Sequence, residues 1–121
     1  MKIIVCGGRE YDNAALVSKA LDGLLVLHKG AITHLIHGGA RGADALAHDW
    51  ALRNGVQTVE CVANWHWAKH WAGPRRNTAM LDLKPDLVVA FPGGAGTADM
   101  IKRARRVGVT VMEILDEQAN S

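Results

Sequence analysis

Short apolar runs alternate along this chain with longer stretches whose apolar residues recur at helical spacing. Lys2–Cys6, Thr33–His37, Val56–Val62, Asp86–Phe91 and Val109–Ile114 read as five strands. Between the first two, Asp12 or Asn13 can cap a helix running to about His28, with Leu16, Ala20, Leu24 and Leu27 on one stripe and Gly30 ending it. Gly42-Ala43-Asp44 opens a second helix through Arg53, with Leu46, Ala47 and Trp50 as its apolar face, and Asn54-Gly55 stops it. A third helix is expected from about Pro74 to Leu83, with proline in a tolerated first-turn position. A fourth is expected over Thr97–Val107. Strands separated by helices in this way predict a parallel sheet covered on both faces. The expected fold is therefore α/β: one three-layer domain over residues 1–115, with a central parallel sheet of about five strands in the order 3-2-1-4-5. Residues 116–121 read as a polar tail.

Three glycine-rich turns interrupt this pattern, each directly after a strand. They are Cys6-Gly7-Gly8-Arg9, His37-Gly38-Gly39-Ala40-Arg41-Gly42 and Pro92-Gly93-Gly94-Ala95-Gly96-Thr97. Right-handed crossovers put every strand-to-helix loop at the carboxyl edge of a parallel sheet, where open α/β sheets bind ligands. Glycines there let a ligand approach the backbone, and the helix start that follows favours an anion. A single such turn is compatible with turn geometry alone; the convergence of three argues for a site. Gly-x-Gly-x-x-Gly is absent after the first strand, and the Lys-Ser/Thr of a P-loop is absent throughout, so a phosphate held by backbone donors without metal is the expected mode. Arg9 and Arg41 lie inside two of the turns and could grip phosphate oxygens bidentately; for Arg9, surface pairing with Asp12 or Asp44 is the competing role. Asp44 is expected to cap the second helix, and Thr97 to cap the fourth or donate its hydroxyl to phosphate.

Composition narrows the classes. The chain has 121 residues, 49% apolar and 21% charged, which suits one folded domain and argues against disorder. No apolar stretch reaches the ~18 residues needed to span a bilayer. Cys6 and Cys61 sit in strand-like runs, where free thiols are expected over a disulfide, consistent with the cytoplasm. A net charge of +2 does not by itself argue for nucleic acid, and Lys102, Arg103, Arg105 and Arg106 read as the solvated last turns of a helix. Trp65-His66-Trp67-Ala68-Lys69-His70-Trp71 has one His pair at i, i+4 but no third ligand in view, so no metal is expected. Its three tryptophans suit packing, base stacking or a subunit contact, and a homodimer or higher homo-oligomer is expected through them.

Taken together, Gly7-Gly8-Arg9-Glu10-Tyr11, His37 through Asp44, Trp65 with Gly73 through Met80, and Ala90 through Thr97 resemble the SLOG superfamily. These are Rossmann-like domains that include the Lonely guy (LOG) hydrolases and the DNA-processing protein DprA. Within it the chain looks closest to the small YspA-like, YpsA-related family. The resemblance implies a nucleotide or nucleotide-derived ligand, such as a nucleoside phosphate or an ADP-ribose type, and no required cofactor. It adds Arg76 and Asn77 to the expected contacts Gly7, Gly8, Arg9, Gly38, Gly39, Arg41, Gly42, Pro92, Gly93, Gly94, Gly96 and Thr97.

One departure bears on catalysis. The LOG hydrolases carry Pro-Gly-Gly-x-Gly-Thr-x-x-Glu, and the glutamate's position is Met100 here. Methionine cannot serve as acid, base or charge stabiliser. Asp99 lies about 100° around the helix from it, and Glu10 lies in a crevice loop; both are substitutes to consider. The leading expectation is a ligand-binding sensor or sequestering domain, with the replacement at Met100 leaning against hydrolysis without deciding it. The alternatives are phosphoribohydrolase-like cleavage of nucleoside monophosphates, and DprA-like binding of single-stranded nucleic acid.

Overall fold

The computed structural model describes residues 1–62 and 72–117. Its elements in chain order are β1 (Lys2–Cys6), α1 (Ala14–Leu27), β2 (His34–His37), α2 (Ala43–Arg53), β3 (Gln57–Glu60), α3 (Ala72–Asp82), β4 (Leu87–Ala90), α4 (Ala95–Arg106) and β5 (Thr110–Glu113). All strand pairings are parallel and the sheet order is β3-β2-β1-β4-β5, as the alternation of strand and helix predicts. The order reverses between β1 and β4, and the three glycine turns lie at the carboxyl ends of β1, β2 and β4.

The period-two alternation of β1 divides the core. Ile3 and Val5 point to the face covered by α1 and α2, where they meet Val17, Leu21, Leu24, Leu35, Ala47 and Trp50. Ile4 and Cys6 point to the face covered by α3 and α4, with Ile36, Met80, Val88, Met100 and Ala104. Ile3 and Ile4 are fully buried, and each such side chain contributes roughly 1.5–3 kcal/mol. Trp50 is buried to its polar tip, which donates from Nε1 to Asp22 Oδ1 at 2.8 Å. The edge strands β3 and β5 are only half covered, so the double-sided burial expected of all five strands holds for the centre of the sheet.

Several local expectations change. The buried stripe of α1 is Val17, Leu21 and Leu24, while Leu27 is exposed. Leu16, Val17, Ala20, Leu21, Leu24 and Leu25 form two adjacent stripes, and periodicity alone does not choose between them. Asn13, one of the two expected caps, accepts the Leu16 N–H at 3.1 Å. Helix α4 begins at Ala95 with Gly94 at its cap, so Thr97 lies in the first turn and does not cap it. Asp116, expected at the head of a polar tail, is buried because Tyr11 Oη and Asn13 Nδ2 both donate to its Oδ2, at 2.8 and 3.0 Å. No helix among the described residues is long and apolar enough to cross a membrane.

Candidate functional site

The three glycine turns pack backbone on backbone. Gly8 N–H donates to Pro92 O at 2.8 Å, and Gly8 O accepts from Ala43 N–H at 3.2 Å. A Cβ at Gly7 would lie 2.5 Å from Ala43 Cβ, and one at Gly93 would strike Thr97 Oγ1 and come 2.7 Å from Gly8 N. Gly42 combines a φ of 78° with carbonyl oxygens of the first turn where its Cβ would be. These glycines hold the loops together. Gly94 and Gly96 differ: among the described residues a Cβ on either would meet nothing within 4 Å.

The space in front of Gly94 and Gly96 is a cavity of about 600 Å³. Gly7, Gly8, Arg9, Ala40, Asp44, Gly73, Arg76, Asn77 and Gly94 through Thr97 line it, over a floor of Val5, Cys6 and Met80. The cap of α4 is a glycine with no side-chain hydrogen bond, so no side-chain cap competes for the first-turn N–H groups that sit against the cavity. A second cleft of about 850 Å³ shares Gly8, Arg9 and Gly94 with it and is lined by Glu10, Tyr11, Asp12, Asn13, Pro92, Gly93 and Asp116.

Arg76 and Asn77, both on α3, build the cavity's far wall. The guanidinium of Arg76 lies over Gly38, whose Cβ would come within 2.7–2.9 Å of it, and Nη2 donates to Asn77 Oδ1 at 3.4 Å. Arg76 Nε is buried and has no hydrogen-bond partner among the described residues. Asn77 is buried and donates from Nδ2 to Gly96 O at 3.2 Å and to Asp99 Oδ2 at 2.9 Å, tying α3 to the first turn of α4. Asp99 also accepts from Arg103 Nε at 2.8 Å, so both partners occupy this candidate acid.

The expected contacts separate on inspection. Arg9, Arg76, Asn77, Thr97 and the glycines at 7, 8, 94 and 96 line the main cavity. Pro92 and Gly93 line the second cleft, and Gly38, Gly39 and Gly42 line neither. Arg41 is turned outward to an exposed ion pair with Glu10, away from the main cavity; a flexible side chain at a loop tip finds its partner in solvent. Met100 is fully buried among Ile4, Met80 and Ala104. Of the basic run on α4, Arg103 pairs with Asp99 and Arg105 with Glu113. Trp65, Trp67 and Trp71, with His66 and His70, fall outside the described residues, and so does the subunit contact expected of them.

Asp44 does not cap α2. Its Oδ2 accepts from Gly38 N–H at 2.9 Å and Ala40 N–H at 3.3 Å, bracing the second glycine turn from below. Burial pushes its carboxyl up, opposed by those two N–H groups and by Arg76 and Arg9. Burial, then Asp44, raise the Cys6 thiol to about 12, which makes it an inert floor residue. Cys6 and Cys61 are free thiols. His37 braces the same turn from the other side: Gly39 N–H donates to its Nδ1 at 3.0 Å, which leaves Nε2 to donate to His48 Nδ1, also at 3.0 Å. Among the described residues no three His, Cys, Asp or Glu side chains gather as metal ligands would.

Comparison with known proteins sets this site in a family. Residues 1–70, which contain the first two glycine turns, match the family described as YspA, cpYpsA-related SLOG. The Gene 61 protein of Mycobacterium phage D29 is 32% identical over 124 residues, covering 96% of this chain and 98% of the phage protein. The chain belongs to the YspA, cpYpsA-related SLOG family. Among solved structures, DNA processing protein A (DprA) from Streptococcus pneumoniae matches this SLOG domain with a TM-score of 0.76 at 21% identity, which shows a shared fold. The match covers 96% of this chain and 50% of DprA, so the SLOG chain spans about half the length of that protein.

Proposed function

We propose that this SLOG domain binds an anionic, nucleotide-type ligand, a nucleoside phosphate or a nucleotide-derived molecule of ADP-ribose type, as a sensor or sequestering domain. One observation carries the reading. The first turn of α4 is left open by Gly94 and Gly96 opposite Arg76, whose buried Nε has no acceptor among the described residues. Phosphate suits such a place: it accepts from the helix N-terminal N–H groups, it is favoured by the macrodipole, and it supplies an oxygen for Arg76 Nε. Binding without turnover is supported by Met100, which is buried where the hydrolases carry glutamate, and by the pairing of Asp99 with Asn77 and Arg103 and of Glu10 with Arg41.

The test is native mass spectrometry of the protein as purified, followed by calorimetric titration with AMP and ADP-ribose. The expected result is a co-purifying phosphorylated small molecule, or saturable binding of one of these probes that Arg76→Ala weakens. Release of free base from AMP on incubation with wild type would instead establish an enzyme. Absence of any bound phosphate compound, with no heat on titration, would refute the reading.

A further inference from the structure

The cavity holds one group that phosphate does not explain. Asp44 is 5% exposed and lines the cavity, and its Oδ2 is already used by the Gly38 and Ala40 N–H groups. Its Oδ1 has no hydrogen-bond partner among the described residues. No ion pair joins Asp44 to Arg76, although both line the same cavity. Oδ1 is thus an acceptor open to the cavity and free for a ligand's donor, whereas a phosphate would only add to the negative charge beside it. The missing partner is a hydrogen-bond donor.

The position of Asp44 says which part of a ligand that donor belongs to. Gly38, whose N–H rests on Asp44, is covered by the Arg76 guanidinium; Arg76 donates to Asn77; and Asn77 holds the Gly96 carbonyl in the first turn of α4. The carboxylate is thus one side chain away from the anion cradle. In a nucleotide the groups adjoining the phosphate are sugar hydroxyls, and the base lies beyond them. We infer that Asp44 Oδ1 accepts a hydrogen bond from a ribose hydroxyl of the bound ligand, so that the site selects ribose phosphates over deoxyribose phosphates and bare phosphate. The inference rests on the anion-binding reading above and adds a polarity to it: phosphate toward α4, sugar toward α2.

Asp44→Asn provides the test, because asparagine keeps one oxygen for the Gly38 and Ala40 N–H groups and replaces the cavity-facing acceptor with a donor. Affinities are measured for AMP, 2′-deoxy-AMP, 3′-deoxy-AMP, ribose 5-phosphate and inorganic phosphate. Wild type should bind AMP about tenfold or more tightly than at least one deoxy form, as expected for a hydrogen bond to a charged acceptor. In Asp44→Asn that ratio should collapse to about twofold, ribose 5-phosphate should weaken in parallel with AMP, and inorganic phosphate should bind no worse. Equal wild-type affinities for AMP and both deoxy forms would overturn the inference and leave the anion site standing. Weaker AMP with unchanged ribose 5-phosphate in the variant would overturn it in favour of a base N–H. Failure of every probe to bind wild type would overturn both readings. Should the variant not fold, the wild-type Asp44 carboxyl ¹³C resonance serves: a shift on adding ribose 5-phosphate supports the contact, and no shift overturns it.

Discussion

Gly96 is a glycine that the protein itself does not need, and replacing it separates stability from binding. It lies in the first turn of α4 without a positive φ, and a Cβ there would meet nothing within 4 Å among the described residues. Alanine should therefore be the more stable residue, by about 0.5–1 kcal/mol on backbone entropy and helix propensity. For a domain of this size that is a rise in Tm of roughly 2–4 °C. The added methyl enters the cavity where the first-turn N–H groups lie, and displacing a phosphate from one charge-assisted hydrogen bond costs about 1.5–3 kcal/mol, at least tenfold in affinity. Gly93→Ala is the control. Its Cβ would collide with Thr97 Oγ1 and the backbone of Gly7 and Gly8, an overpacking that costs about 1–3 kcal/mol and lowers Tm by roughly 4–12 °C. Thermal melts of the three proteins, with calorimetric titration of AMP or ADP-ribose, measure both quantities. A Gly96→Ala variant that is destabilised like Gly93→Ala, or that binds as tightly as wild type, would refute the reasoning.

Arg76→Ala should weaken a phosphorylated probe by about 1.5–3 kcal/mol and its dephosphorylated analogue much less, whereas Arg41→Ala, whose guanidinium pairs with exposed Glu10, should change neither; equal losses at the two arginines in titration would contradict the placement of the anion. Met100→Glu should lose roughly 3 kcal/mol or more of stability in urea melts, since the new carboxylate would be buried among Ile4, Met80 and Ala104, and should release no base from AMP; a stable variant that turns over would mean that position 100 faces the cavity. Burial and, next, His48 hold the His37 imidazole below its ordinary 6.5, against an opposing pull from Glu60. The unfolded chain then takes up a proton before the folded one, so this contribution to stability is complete above about pH 6.5 and is lost as pH falls through the lowered folded value. His37→Gln should flatten that part of the stability-against-pH curve, and an unchanged slope would remove His37 from the cause.

Much of the architecture was legible because it is written in local pattern. Continuous apolar β1 and β4, glycine turns at strand ends and helical repeats between them lead to the doubly wound order without tertiary information. The stripe Thr97, Met100 and Ala104 was equally present in the sequence, and its spacing of three and four places Met100 on the sheet side of α4. What local pattern does not encode is the partner of a polar side chain. Asp44 looks like a cap because it opens a helix, yet its bonds run back to Gly38 and Ala40. Tyr11 and Asp116 are 105 residues apart and meet only because β1 and β5, on either side of β4, end at the same edge of the sheet. Arg41 in a glycine turn and Arg76 near the start of a helix are alike as candidate phosphate contacts; only packing reveals that one reaches solvent and the other is covered at Nε.

The claim that an anion is held between α4 and Arg76 is tested most directly by a ¹H–¹⁵N titration with AMP, following the backbone amides of Gly94, Ala95 and Gly96 and the Nε–H of Arg76. The account predicts saturable shifts at all four with a single dissociation constant, and no comparable shift at the Nε–H of Arg41. Saturating behaviour confined to the exposed basic residues Lys102, Arg105 and Arg106, or no shift at the first turn of α4, would contradict it.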